Sequence, residues 1–200
     1  MKHILLLFIL FISSTFYAQD NWVLEKTESD IKAYSRIKEG TDYYEFRTIF
    51  KVDASILDAK NLITDVANFK NWLPNTKASK LLKKVNDNVY YGYTVTETPW
   101  PLSDRDLVFK ATVKKLGSKK YSITLEGTPD YIAEDKKKVR VQEYKAQWII
   151  KEVEPNVIKV YYQASFNPGS TYPNWMIKNS MIDARIETSL NFRAQLVGKD

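Results

Sequence analysis

The feature that most limits the possible folds is a series of alternating segments that leads into one long helical segment. Apolar side chains recur at every second position over residues 89–95, 107–113, 144–150 and 158–166. From Pro173 to about Leu196 the chain contains no further Pro and no Gly, which permits a helix of about 36 Å. Because alternation is typical of an antiparallel sheet with one covered face, we expect the long helix to cover that face.

Two strands and a helix are predicted ahead of this series. Residues Trp22 to Tyr34 and Tyr43 to Val52 have the composition of strands, and the second is rich in aromatic and β-branched residues. Apolar residues at helical spacing then predict a helix from about Ala54 to Phe69, with Asp53 as its N-cap and Ser55 as the alternative. The predicted fold is α+β, a curved antiparallel sheet wrapped around a long C-terminal helix.

The first 18 residues have the order of a secretory signal peptide. A basic start at Lys2 precedes the unbroken apolar run Ile4 to Ile12, and small and polar residues follow up to Ala18. The run is too short to span a bilayer of about 30 Å, so a permanent membrane anchor is not expected. The alternative to a signal peptide is a buried N-terminal helix. The sequence therefore predicts a signal peptide over residues 1–18, a single domain over residues 19–200, and a periplasmic or extracellular protein.

The residue types available exclude several kinds of catalysis. The chain has no Cys, and its one His is His3, inside the predicted signal peptide. Most zinc sites, Ser-His-Asp triads and Cys-His pairs need one of these residues. No phosphate-binding glycine-rich loop or nucleophile elbow is present either. We therefore predict a protein that is not an enzyme and that binds no metal and no cofactor.

Basic residues exceed acidic ones only moderately, with a formal net charge of +6. The lysines cluster at positions 80–84, 114–115, 119–120 and 136–138, where strand ends or turns are expected. Lysines at such places commonly protect the edges of a sheet, so no nucleic acid partner is predicted. Transient contact with an anionic membrane surface is the alternative interpretation of the clusters.

Five segments, in the same order along the chain, are similar to those of one known family. They are residues 30–36, 68–72, the segment PWPLSDRDLV at 99–108, Val139–Val141 together with Trp148, and the segment NPGSTYPNW at 167–175. By these segments the chain resembles the START domains, the steroidogenic-acute-regulatory-protein-related lipid-transfer domains. The resemblance implies a helix-grip fold with an internal hydrophobic cavity for one lipid-like molecule. It also implies that the terminal helix and neighbouring loops form a lid.

The resemblance has one departure that bears on the ligand. Sterol-transfer members have a second cavity arginine six positions after the arginine that corresponds to Arg105, and here that position is Ala111. The resemblance therefore implies neutral lipids or fatty-acyl chains rather than free sterols. We predict a monomer that binds and transfers a lipid or other hydrophobic small molecule. The alternative is a helix-grip enzyme of the cyclase or hydrolase type, acting on a small apolar or aromatic substrate.

The candidate ligand-binding residues come from the inward rows of the strands and from the terminal helix. They are Tyr91, Tyr93, Phe109, Ala111, Tyr144, Trp148, Tyr162 and Phe166 in the strands, and Trp175, Asn179, Ile182 and Ile186 in the helix. The alternative for these rings is an ordinary core. The alternative for Asp104 and Asp106, which share a strand face, is an acid–base pair. The prediction for Arg105 and Asp106 is that they anchor the preceding loop.

Overall fold

The structure, a computed structural model, describes residues 21–167 and 174–197. The elements in this part of the chain are β1 (Val23–Glu28), β2 (Ile31–Ile37), β3 (Tyr44–Asp53), α1 (Ile56–Thr64), β4 (Thr76–Asn86), β5 (Val89–Thr96), β6 (Arg105–Lys115), β7 (Lys120–Gly127), β8 (Val139–Arg140), β9 (Tyr144–Glu154), β10 (Val157–Phe166) and α2 (Asn174–Val197). Short 3-10 helices cover Val66–Asn71 and Pro129–Tyr131. The predicted signal peptide and residues 168–173 lie outside the described residues.

The strands form one ten-stranded sheet in the order β1-β2-β3-β10-β9-β7-β6-β5-β4. All neighbours in this order are antiparallel, and β8 pairs in parallel with the start of β6. The antiparallel pairing of β3 with β10 joins the first strands of the chain to the last, so the sheet is a single layer. The predicted α+β fold, with a curved antiparallel sheet and a long C-terminal helix, is confirmed.

The first predicted strand is in fact a hairpin. Strands β1 and β2 are joined at Ser29 and Asp30, whose φ angles are 48° and 62°. Two successive residues with positive φ are the geometry of the tight turns that match the twist of paired strands. The prediction of one strand over Trp22 to Tyr34 missed this turn, because the turn uses Ser-Asp rather than the stronger Asn-Gly or Asp-Gly signal.

Helix α1 begins later than predicted. Ser55 is its N-cap, and the Ser55 side chain accepts a hydrogen bond of 3.1 Å from the backbone N–H of Asp58. Asp53 is the last residue of β3, so the prediction of Asp53 as the cap is wrong and the Ser55 alternative is confirmed. The helix ends at Thr64, and the chain continues as the 3-10 helix Val66–Asn71.

The first lysine cluster lies inside a strand rather than at a strand end. Lys80, Lys83 and Lys84 belong to β4, which forms one edge of the sheet and has register shifts along its length. Lysines and bulges on an edge strand oppose pairing with another chain. The predicted position at a strand end was wrong for this cluster because exposed lysines obscure the alternation of an edge strand.

Helix α2 crosses the sheet over β2 and β3. The side of α2 that faces the sheet is formed by Ile182, Ile186, Ser189, Phe192 and Leu196, all of which are buried. The Ser189 and Thr48 hydroxyls lie 2.9 Å apart and join the helix to β3. The apolar stripe (Ile182, Ile186) therefore packs inward as the sequence spacing indicates. In the described part of the chain, no helix has both the length and the apolar character needed to span a bilayer.

The start of α2 is held against β1 and β2 by a partly buried ion pair. Lys178 Nζ lies 2.5 Å from Glu25 Oε1, and the Ser35 hydroxyl donates to the same oxygen at 2.6 Å. Burial alone would raise the pKa of Glu25. The hydrogen bonds from Lys178 and Ser35 outweigh that effect and hold the pKa below its ordinary value of 4.5. The ionised carboxylate therefore stabilises the docked helix.

We expect Glu25→Gln to lower the free energy of unfolding by about 1 kcal/mol near neutral pH. A carboxylate whose pKa is lowered by folding contributes its stability above the unfolded pKa and loses it as the pH falls through the folded value. The difference in the free energy of unfolding between wild type and Glu25→Gln should therefore become smaller as the pH falls below 4.5. Urea unfolding of both proteins near neutral pH and near pH 3 measures it. A difference that is equal at both pH values would contradict the prediction.

Candidate ligand-binding site

The inner face of the sheet brings together most of the predicted strand residues. The β9–β10 register places Trp148 beside Tyr162, and Tyr144 beside Phe166. From β6, Phe109 and Ala111 point to the same side and are buried. Tyr144, the first residue of β9, and Phe166, the last residue of β10, are half-buried. Ile182 and Ile186 cover this face from the helix.

A cluster of aromatic rings lies in this interior. The rings of Trp148 and Tyr162 stack at 3.9 Å with an interplanar angle of 13°. Phe192 stacks on Trp148 at 5.2 Å, and Trp72 packs against both rings from the segment that follows α1. Aromatic pairs in such arrangements stabilise each other beyond the area they bury. The stacking fixes the Tyr162 ring, and with it the position of the Tyr162 hydroxyl.

Tyr91 and Tyr93 do not face this interior, so that part of the predicted site is wrong. The β5–β6 register sets Gly92 opposite Phe109, and the side chains of β5 alternate about that point. Tyr91 therefore lies on the outer face, where its ring stacks on Tyr131 at 4.0 Å. The inward tyrosine of β5 is Tyr90. The sequence did not reveal the register because β5 has tyrosines on both faces and an inward glycine.

The outer face of β6 contains a buried ion pair. Asp106 accepts hydrogen bonds from Nε and Nη2 of Arg140, at 3.1 and 2.9 Å. Both side chains are almost fully buried under the segment that runs from Pro129 to Arg140. Asp106 thus ties the segment after β7 to β6, whereas the predicted anchoring concerned the loop before β6. Burial, together with the Asp106 carboxylate, raises the pKa of the neighbouring Tyr93.

The loop between β5 and β6 is held by Arg105 and Asp104. Arg105 Nη1 donates to the Thr98 hydroxyl at 3.3 Å. The Asp104 carboxylate accepts from the Thr98 backbone N–H at 3.2 Å and from Lys77 Nζ at 3.1 Å. Because Asp104 is paired with Lys77 and Asp106 with another cation, the two carboxylates do not form the acid–base pair considered from the sequence.

One interior side chain, Arg185 of α2, was not among the predicted residues. Its Nη1 donates to the Tyr162 hydroxyl at 3.0 Å, and the guanidinium carbon lies 5.5 Å from the centre of the Tyr162 ring. Ala111 is fully buried and supplies no charge, as expected from the sequence. The interior nevertheless contains a cation, because α2 contributes Arg185 from the opposite side. The sequence signal was a lone arginine between Ile182 and Ile186.

The Tyr144 hydroxyl is the second polar group near this guanidinium. Burial raises the pKa of the Tyr144 hydroxyl, and the adjacent Tyr162 raises it further, whereas Arg185 lowers it. The hydroxyl therefore stays protonated at neutral pH and can donate a hydrogen bond. Around Arg185 the interior thus combines apolar rings with the hydroxyls of Tyr162 and Tyr144 and one cation.

Two of the predicted residues, Trp175 and Asn179, lie in the first two turns of α2. The Trp175 side chain lies outside the described residues. Asn179, in the second turn, is exposed, so the prediction that it lines the site is wrong. Within residues 21–167 and 174–197 there is no group of three or more acidic or histidine side chains placed to hold a metal ion.

A curved sheet with an apolar inner face, closed by a long C-terminal helix, is the helix-grip class of fold. Within this class, the chain belongs to the START domain family, whose family model matches residues 11–196. This confirms the resemblance found in the five sequence segments. START domains bind lipids or other hydrophobic ligands.

Three relatives show how far the similarity extends. A STAR-related lipid transfer protein from Xanthomonas axonopodis has 32% sequence identity and a TM-score of 0.81, over 88% of this chain and 98% of that structure. An uncharacterised protein of Pseudomonas aeruginosa is 27% identical over 88% of this chain and 86% of its own length. The phosphatidylcholine transfer protein of Rattus norvegicus is 26% identical over 78% of this chain and 75% of its own length.

Proposed function

We propose that this protein binds one lipid or similar hydrophobic molecule between the inner face of the sheet and α2, and transfers it between membranes. The observation that supports this most is the interior itself. Apolar rings from β6, β9 and β10 surround a few fixed polar groups, as in sites that hold amphiphilic ligands. Two of the relatives are named as lipid transfer proteins, which supports the same class of ligand.

The proposal is tested with the protein purified from its native source. Organic extraction followed by mass spectrometry should yield one hydrophobic molecule in roughly equimolar amount. Absence of any such molecule, together with failure to take up pyrene-labelled lipids from vesicles, would contradict the proposal. The enzyme alternative makes a different prediction in the same experiment, because the extracted molecule would then change in mass during incubation with the protein.

Transfer also requires contact with a membrane, and we propose that Trp100 makes it. Trp100 lies in the loop between β5 and β6 and is 93% exposed. Tryptophan rings favour the level of the lipid headgroups. We expect Trp100→Ala to slow vesicle-to-vesicle transfer of a pyrene-labelled lipid by about threefold or more, while the Kd for that lipid in solution stays the same.

The matched control for Trp100 is Leu116→Ala. Leu116 is also exposed, but it follows β6 and therefore lies at the opposite end of that strand. We expect its replacement to leave the transfer rate unchanged. Equal rates for wild type and Trp100→Ala would show that the membrane contact lies elsewhere.

We also propose that the protein acts outside the cytoplasm. The support is the order of Lys2, the apolar run Ile4 to Ile12 and Ala18 at the start of the chain. N-terminal sequencing of protein recovered from the periplasm or medium is expected to start near Gln19, and an intact Met1 would contradict the proposal.

A further inference from the structure

The interior contains one guanidinium group for which the described residues supply no counter-charge. Arg185 is half-buried, and its Nη1 donates to the Tyr162 hydroxyl at 3.0 Å. Its Nε is buried and has no hydrogen-bond partner in the described part of the chain. No carboxylate of residues 21–167 or 174–197 lies within ion-pair distance of it. A guanidinium in apolar surroundings needs hydrogen-bond acceptors, or its burial costs free energy.

Two other buried or partly buried arginines each have at least two oxygen acceptors within the protein. Arg140 donates to the Asp106 carboxylate and to three backbone carbonyls. Arg193, two turns after Arg185 on α2, donates to the carbonyls of Ser29 and Lys51 at 2.8 and 3.3 Å, although its Nε, like that of Arg185, is buried without a partner. Arg185 differs from both, because its one acceptor is a neutral hydroxyl that is itself a donor.

The geometry around Arg185 fits an acceptor group brought by a ligand. Arg185 is eleven residues after Asn174, so it lies about 16 Å along α2 from the start of the helix. Tyr162 is fixed by its stack on Trp148, and Tyr144 adds a second protonated hydroxyl. A guanidinium with adjacent hydroxyl donors matches the oxygens of a carboxylate or a phosphate.

We propose that Arg185, together with the hydroxyls of Tyr162 and Tyr144, forms an oxyanion site inside the helix-grip. The ligand is then an anionic amphiphile whose carboxylate or phosphate group lies within the protein rather than in the surrounding water. This inference rests on the proposed function, and it replaces the expectation of a neutral lipid drawn from Ala111 with an anionic one.

The test compares ligands that differ only in the charged group. cis-Parinaric acid and its methyl ester are titrated by fluorescence into wild type and into Arg185→Met. We expect wild type to bind the acid about tenfold more tightly than the ester. Arg185→Met should weaken binding of the acid by about tenfold and change binding of the ester by less than about twofold. A second experiment tests a phosphate group instead of a carboxylate. It compares pyrene-labelled phosphatidic acid, which is charged, with pyrene-labelled diacylglycerol, which is neutral, and both are offered from phosphatidylcholine vesicles.

Two further variants keep the test decisive. Tyr162→Phe removes one hydroxyl and retains the ring, so it should weaken binding of the charged probe by about threefold even if Arg185→Met folds poorly. Arg193→Met is the matched control on the same helix, and its preference for the charged probe should equal that of wild type. Circular dichroism melting of each variant confirms folding.

The outcomes separate the oxyanion site from the proposed function. Loss of the preference for parinaric acid in Arg185→Met supports a carboxylate ligand, and loss of the preference for phosphatidic acid alone supports a phosphate ligand. Suppose that both charged and neutral probes bind the wild-type protein, and that the Arg185→Met variant weakens neither class of probe selectively. The proposal of an oxyanion site is then wrong, while the proposed binding function stands. If no probe binds wild type, the binding function itself fails.

Discussion

Arg140→Met is expected to lower the free energy of unfolding by about 3–5 kcal/mol. The Arg140 and Asp106 side chains are 2% and 1% exposed. Methionine fills much of the arginine volume but leaves the Asp106 carboxylate buried without a cation. The change also removes the donors to the backbone carbonyls of Pro129, Ile132 and Ala133. Urea unfolding near neutral pH, followed by circular dichroism, measures the loss.

The double variant Asp106→Leu with Arg140→Met tests the reason for that loss. With both charged groups removed, no carboxylate remains unpaired, and we expect the double variant to be at least about 1 kcal/mol more stable than Arg140→Met alone. Lys51→Met is the surface control, because the Lys51–Glu154 pair is exposed, and it should cause no measurable change. If Arg140→Met costs less than about 1 kcal/mol, or the double variant is the less stable one, the explanation is wrong.

The ion pair and the proposed ligand site lie on opposite faces of β6. Phe109 and Ala111 point inward, whereas Asp106 points outward to Arg140. Successive side chains of a strand alternate between faces, so one strand serves both purposes without crowding. We therefore expect Arg140→Met to affect stability much more than the preference between charged and neutral ligands.

The sequence correctly predicted those parts of the structure in which a local pattern of residues determines the secondary structure and the buried face. The alternation in β6, β9 and β10 identified the inner face, because each strand has one clearly apolar row. The absence of Pro and Gly after Pro173 identified α2 to within a residue or two. The family resemblance rested on segments distributed over most of the chain, and the family model agrees with it.

The sequence failed where a choice depends on contacts between distant residues. The β5–β6 register, rather than the composition of β5, determines which tyrosines of β5 point to the inner face of the sheet. The role of Arg185 depends on Tyr162, which is 23 residues away and on a different element. From sequence alone, a polar residue at the border of an apolar helical stripe is predicted to be solvent-exposed. Only the structure shows which side chains of the sheet face it.

Gly92 in β5 has the second large expected effect, because the interior has no room for a side chain there. A Cβ atom on Gly92 would lie 2.8 Å from Val66 Cγ1 and closer still to the Phe109 ring. Phe109 is 1% exposed and stacks on Phe69 at 6.2 Å, so its ring cannot move aside freely. We expect Gly92→Ala to lower the free energy of unfolding by about 2–3 kcal/mol, as overpacking of a dense core does.

A double-mutant cycle with Phe109→Leu distinguishes this clash from a general intolerance of β5. Leucine is shorter than phenylalanine, so it frees the space that the Gly92→Ala methyl group requires. The combined variant should therefore be more stable than the sum of the two single changes predicts, by about 1 kcal/mol or more. Urea unfolding of all four proteins gives the coupling energy. Strict additivity would mean that the Phe109 ring does not limit position 92, and the cost of Gly92→Ala would then arise from Val66 instead.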